Sequence, residues 1–130
     1  MIEAPADVVE VGFPADTVNM AIARTVAAAV AARAELTVDQ IDDVRLAVDE
    51  GVGYLISHAT TDARVLGNLW VEEAEFHVLL SCPTANTEPP EPEVFSWTVL
   101  TALVGDVQTR IVDGELTMQW SLARDHSVSA

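Results

Sequence analysis

The chain has no lysine, a single cysteine and few aromatic residues, and each shortage removes a class of chemistry. Without lysine there is no P-loop lysine, no Schiff-base lysine and no kinase-type phosphate lysine. Positive charge is scarce as well. Six arginines face 21 acidic residues, which leaves a formal net charge of −15. A field of that sign repels nucleic acid and anionic lipid, so neither is an expected direct partner; basic protein surfaces are. Cys82 alone excludes an internal disulfide, leaves no cysteine set for zinc, and fits a reducing cytoplasm. His58 and His77 are scattered, and no metal site is expected from them. The opening Met1–Asp7 stretch is acidic and short of apolar length, so it does not read as a signal peptide. No later run is long enough to span a bilayer. A soluble, cytoplasmic protein is the expectation.

What the chain does have is apolar material: half of its 130 residues are hydrophobic, enough for one domain over residues 1–130 with a polar tail from Arg124. Val8, Val9, Val11 and Phe13 predict a strand over 7–13. Asp16 or Thr17 can cap a first helix that reaches about Ala34, with Val18, Ile22, Val26, Val30 and Arg33 on one stripe. Its other side, formed by Met20, Arg24, Ala27, Ala28 and Ala31, is smooth and carries one charge. An ordinary solvated face is more polar, which points to a docked partner; the plainer reading is that this side merely covers the sheet and that alanine here reflects helix propensity.

Thr37 with Gln40 three residues on forms a capping-box pattern, which starts a second helix at Val38 that runs to about Ala59. Ile41, Val44, Val48, Val52, Leu55 and Ala59 recur at spacings of three and four and should face the core. Glu50, Tyr54 and His58 lie four residues apart and share another strip. Runs at 64–71 and 76–81 around Glu72-Glu-Ala-Glu75 predict a hairpin. Pro83–Pro92 reads as loop, and Phe95–Leu103 resumes helical spacing with Ser96 as a candidate cap. Asp113-Gly114 between 106–112 and 115–122 suits a type I′ hairpin turn. The order β-α-α-β-β-loop-α-β-β predicts an α+β two-layer sandwich, a mixed, mostly antiparallel sheet covered on one face by three helices. The three tryptophans are expected in the core, Cys82 as a small buried residue, and His77 facing outward or capping its hairpin.

Phe13-Pro-Ala-Asp16 before the first helix, Arg45-Leu-Ala-Val-Asp-Glu50 in the second, and Phe95-Ser-Trp-Thr-Val-Leu-Thr-Ala-Leu103 followed by Asp106-Val-Gln-Thr109 are familiar as whole phrases. With the element order, they make the chain resemble the RsbW-type anti-sigma factors and serine kinases of the histidine-kinase-like ATPase superfamily, closest to the actinobacterial branch. The resemblance implies a carrier that sequesters an alternative sigma factor until an anti-anti-sigma protein displaces it, and a homodimer. Some members are ATP-dependent kinases that phosphorylate that antagonist on serine.

Carried over residue by residue, the resemblance is uneven. Glu50 falls on the family's general base, and Arg24 on the first-helix arginine that docks sigma factor and antagonist. Tyr54 stands where the family places a magnesium-binding asparagine, and a tyrosine is a poor ligand for a hard cation. Cys82-Pro-Thr-Ala-Asn86 replaces the adenine-reading Asp-x-Gly-x-Gly. Val94-Phe-Ser-Trp97 replaces a glycine-rich phosphate loop. Glu50 is therefore read as vestigial, Tyr54, Cys82 and Ser96 as degenerate nucleotide positions, and Arg24, Met20, Ala27 and Ala31 as the partner surface. Bound cofactor is not expected, ATP and magnesium entering only if the pocket is remodelled. The reading is a sequestering anti-sigma factor; an active serine kinase and an adaptor for another signalling protein are the alternatives.

Overall fold

A capping box at Thr37 and an Asp-Gly pair at 113–114 mark chain reversals in the computed structural model, which describes residues 4–125. Strand β1 (Val9–Pro14) leads through a 3-10 turn (Thr17–Asn19) into helix α1 (Met20–Ala31). A second 3-10 turn (Ala32–Ala34) and left-handed Glu35 end that helix, and α2 (Val38–Ser57) follows. Hairpin β2 (Arg64–Glu72) and β3 (Glu75–Pro83) precedes the proline-rich loop and α3 (Val94–Val104). Hairpin β4 (Gln108–Val112) and β5 (Glu115–Ala123) completes the chain as described.

The five strands form one sheet in the order β1-β2-β3-β5-β4, and every pairing is antiparallel. The mixed sheet of the sequence reading is thus corrected to a purely antiparallel one, because each neighbour in it runs opposite to the next. The α+β architecture with three helices stands. Both hairpins turn in two residues with positive φ: Asp113 (52°) and Gly114 (79°), as expected, and Glu73 (53°) and Ala74 (63°), where no glycine announces it.

Val65, Leu69, Phe76, Val78, Leu80, Leu116, Met118 and Trp120 alternate on one sheet face and are buried against the helices. Helix α2 lies centrally on them, with Val44, Val48, Val52 and Leu55 inward as the spacing predicts. Gly51 lets it sit close: a Cβ there would meet Met118 Sδ at 3.0 Å and a Leu80 methyl at 3.3 Å.

Helix α1 follows the plainer of the two sequence readings, its alanine side packed inward rather than offered to a partner. Ala23, Ala27, Ala28, Val30 and Ala31 form its buried face, whereas Val18 on the preceding turn is 76% exposed and Ile22 is also exposed. Ala27 and Ala31 are completely buried and are no part of an outer surface. The reason is steric: alanines admit a close helix-on-helix approach, which the larger Val18 and Ile22 would hold apart. Met20 is half-buried as well, its methyl group lying over Gly53 of α2.

Two smaller expectations also change, and a third falls largely outside the described residues. Ser96 is not a cap, because α3 begins at Val94 with Glu93 in the N-cap position and no side-chain cap bond. His77 is buried rather than outward, stacked on its cross-strand neighbour Trp70 with centroids 5.1 Å apart and planes 9° from parallel. The polar tail expected from Arg124 lies mostly outside the described residues.

Candidate functional site

Helix α2 presents Glu50, Tyr54 and His58 along one strip, and α3 packs beside it. Between the two opens a cavity of about 280 Å³ lined by Asp49, Glu50, Gly53, Tyr54, Ser57 and His58 from α2 and its C-cap. Ser96, Trp97 and Leu100 of α3 form the opposite wall, with Pro92 and Glu93 closing one side. The loop is tied to the helix by the Tyr54 hydroxyl, which donates to the Pro90 carbonyl at 2.6 Å. Burial raises the Tyr54 pKa, so at neutral pH the phenol keeps the proton this bond needs. Tyr54 also meets Trp97 (centroids 5.9 Å) and His58 (5.4 Å, edge to face), so aromatic rings form much of one side.

Of the expected nucleotide positions, the structure brings Glu50, Tyr54 and Ser96 together and leaves Cys82 out. Cys82 is buried in the core, and burial, with Glu115 second, pushes its thiol pKa up. A protonated thiol without solvent access is a packing group, in keeping with its expected small buried role. Trp97 contributes a half-buried ring to the pocket wall and Trp120 lies in the core as expected, whereas Trp70 is buried on the opposite face of the sheet against His77.

Magnesium-ATP is a poor fit for this lining. Asp49, Glu50 and Glu93 carry negative charge and no arginine is among the lining residues, so the lining offers nothing to neutralise a triphosphate. At the start of α3 Val94 and Phe95 are exposed (73% for Phe95) and line no part of the cavity, and no glycine opens the first turn to a phosphate.

Asp49 escapes a reading of sequence alone. Its carboxylate accepts a hydrogen bond from Arg24 Nη1 at 2.7 Å, so the arginine of α1 is ion-paired rather than free; its side chain is 38% exposed. Nothing local in the chain marks a pair 25 residues apart. The same is true of Glu93, whose place in the lining depends on how the loop returns. Because Asp49 also lines the cavity, one side chain joins the α1 arginine to the α2/α3 pocket.

Among the described residues no helix is long and apolar enough to cross a membrane, and no three His, Cys, Asp or Glu side chains are grouped to hold a metal ion.

The chain is 38% identical over 103 residues to Anti-sigma-F factor RsbW from two strains of Mycobacterium tuberculosis, an alignment that covers 78% of this chain. It spans 60% of the length of those relatives. A profile of the histidine kinase-like ATPase domain matches residues 13–94, from the end of β1 through both central helices and the β2–β3 hairpin to the first residue of α3. With the helix-covered antiparallel sheet and the α2/α3 pocket, this match establishes that the chain belongs to the histidine kinase-like ATPase domain family.

Proposed function

We propose that the protein is an anti-sigma factor that works by sequestration, holding an alternative sigma factor until an anti-anti-sigma protein displaces it, with no ATP-dependent step. The similarity to Anti-sigma-F factor RsbW over most of this chain is the observation that carries the reading. The outer face of α1 supports it. Val18, Ala21, Ile22, Thr25 and Ala29 are exposed, small or apolar, and Arg24 flanks them. An arginine beside an apolar strip has the composition of an interface anchor. This surface replaces the one expected from Ala27 and Ala31, and it keeps Arg24 while Met20 turns inward.

The test is a pull-down from native cell extract with wild type, Arg24→Glu and Asp49→Asn, read by mass spectrometry and followed by calorimetry on the recovered partner. Wild type and Asp49→Asn are expected to retain a sigma factor, and Arg24→Glu to lose at least about tenfold in affinity, the scale of an interface anchor. The exposed ion pair itself contributes only about 0–1 kcal/mol, so all three proteins should remain folded. Undiminished sigma binding by folded Arg24→Glu would remove Arg24 from the interface. Recovery of an unrelated signalling protein in place of a sigma factor would replace sequestration with an adaptor role.

A further inference from the structure

The α2/α3 cavity has the chemistry of a receptor for positive rather than negative charge. Tyr54 and Trp97, tilted 56° to one another, offer ring surfaces to it, and His58 extends the aromatic side. The quadrupole of such rings is negative on the face and attracts a cation lying within about 6 Å of the ring centre. Carboxylates stand on both walls: Asp49 and Glu50 on α2, Glu93 at the start of α3. The start of a helix ordinarily carries partial positive charge, but here the residue at that end is itself a glutamate. Asp49 is already engaged by the Arg24 guanidinium at 2.7 Å, which leaves Glu50 and Glu93 as the carboxylates available to a ligand. Glu50 makes no ion pair among the described residues.

From these features we infer that the pocket is a binding site for a small organic cation, a quaternary ammonium or guanidinium head group seated against Trp97 and Tyr54 and neutralised by Glu50 and Glu93. The volume suits that class. A cavity of about 280 Å³ lies at the small end of ligand pockets and holds a head group with a short stem. Ser57 and Ser96 add hydroxyls for a guanidinium or for a hydroxyl on the stem. The Tyr54–Pro90 hydrogen bond holds the loop in place, so the rings need little reorganisation before a ligand arrives. The head group can come from a free metabolite or from an arginine side chain of a protein partner, since both present a weakly hydrated cation to an aromatic face, the guanidinium adding N–H donors for the carboxylates. The inference does not depend on the sigma-factor reading, because it concerns only the lining of this cavity.

The experiment is a titration of the whole chain followed by the Trp97 indole N–H resonance and by calorimetry. The probes are tetramethylammonium, choline and N-acetylarginine amide, with sodium chloride at matched ionic strength and magnesium-ATP as controls. A saturable shift of the Trp97 signal is expected with the organic cations at a dissociation constant on the order of 1 mM or tighter, and none with sodium chloride. The double variant Glu50→Gln/Glu93→Gln, both positions reached by solvent, should stay folded and bind about tenfold or more weakly. Trp97→Phe keeps a ring face and should weaken binding less than Trp97→Ala. Tighter binding of choline than of N-acetylarginine amide assigns the site to a free quaternary ammonium, and the reverse order to a partner's arginine. Failure of every organic cation to shift Trp97 saturably in the folded protein, binding unchanged by the loss of both carboxylates, or magnesium-ATP binding more tightly than the cations would each overturn the proposal.

Discussion

Asp43 illustrates how strongly the acidity of this chain bears on single residues. It sits on α2 beyond the first turn, past the reach of the helix N-terminal dipole, and its carboxyl pKa is raised first by burial and then by Asp39 and Asp42. A carboxyl whose folded pKa lies above its unfolded value binds its proton more tightly in the native state. Its ionisation therefore removes stability as pH rises from the ordinary value of 3.8 through the raised one, and the loss persists at neutral pH. Asp43→Asn is expected to raise the melting temperature at pH 7 and to lose that advantage at pH values below the ordinary carboxyl range. Thermal unfolding at the two pH values checks it; equal shifts at both would mean that charge is not the cause. Arg45, which might have relieved this stretch, donates to Asp42 at 2.8 Å instead.

The start of α2 shows which parts of an element are visible in sequence and which need tertiary contacts. Thr37 and Gln40 form the capping box, Thr37 Oγ1 accepting from the Gln40 amide and Gln40 Oε1 from the Thr37 amide. That much is local and could be read directly. Gln40 does more: Nε2 donates to the Ala123 carbonyl at 2.9 Å, and Oε1 accepts from the Asp125 amide at 3.0 Å, fastening the helix to the far end of β5. Thr37→Ala should cost about 1 kcal/mol. Gln40→Ala should cost more, about 2–3 kcal/mol, because it removes the bonds to the Ala123 carbonyl and the Asp125 amide along with its half of the capping box. Urea denaturation of both variants orders them, and a Gln40→Ala loss no larger than that of Thr37→Ala would make the β5 contacts incidental. The orientation of α1 was only partly legible, for a related reason. Spacing put Val18, Ile22, Val26 and Val30 on one stripe, but the closeness of two helix axes buries the alanines together with Val30 and leaves Val18 and Ile22 exposed. His77 was misread similarly: strand alternation placed it correctly on the face away from the helices, while its stacking on Trp70 depends on cross-strand register. In the site, the regular spacing of Glu50, Tyr54 and His58 was visible because one helix carries them, whereas Asp49 with Arg24, and Glu93, meet only through folding.

For the whole molecule, a net charge of −15 acts in opposite directions on folding and on association. Compact folding brings like charges together, and the direct ion pairs seen among the described residues are Arg24–Asp49 and Arg45–Asp42. Raising sodium chloride from about 0.01 M to about 1 M shortens the Debye length from about 30 Å to about 3 Å, which weakens that repulsion. The urea midpoint at neutral pH should therefore rise with salt. Encounter with a basic partner relies on the same field, so its association rate should fall, by about tenfold or more, over the same range. Dissociation should change much less, since a close contact through the apolar strip of α1 is poorly screened. Urea titrations and stopped-flow association at matched salt concentrations measure the two effects on one protein. Opposite slopes attribute both to the global field. A urea midpoint that falls with salt would show that attraction within the fold outweighs repulsion, and an association rate indifferent to salt would mean that the partner is not chosen by charge and that recognition rests on α1 alone.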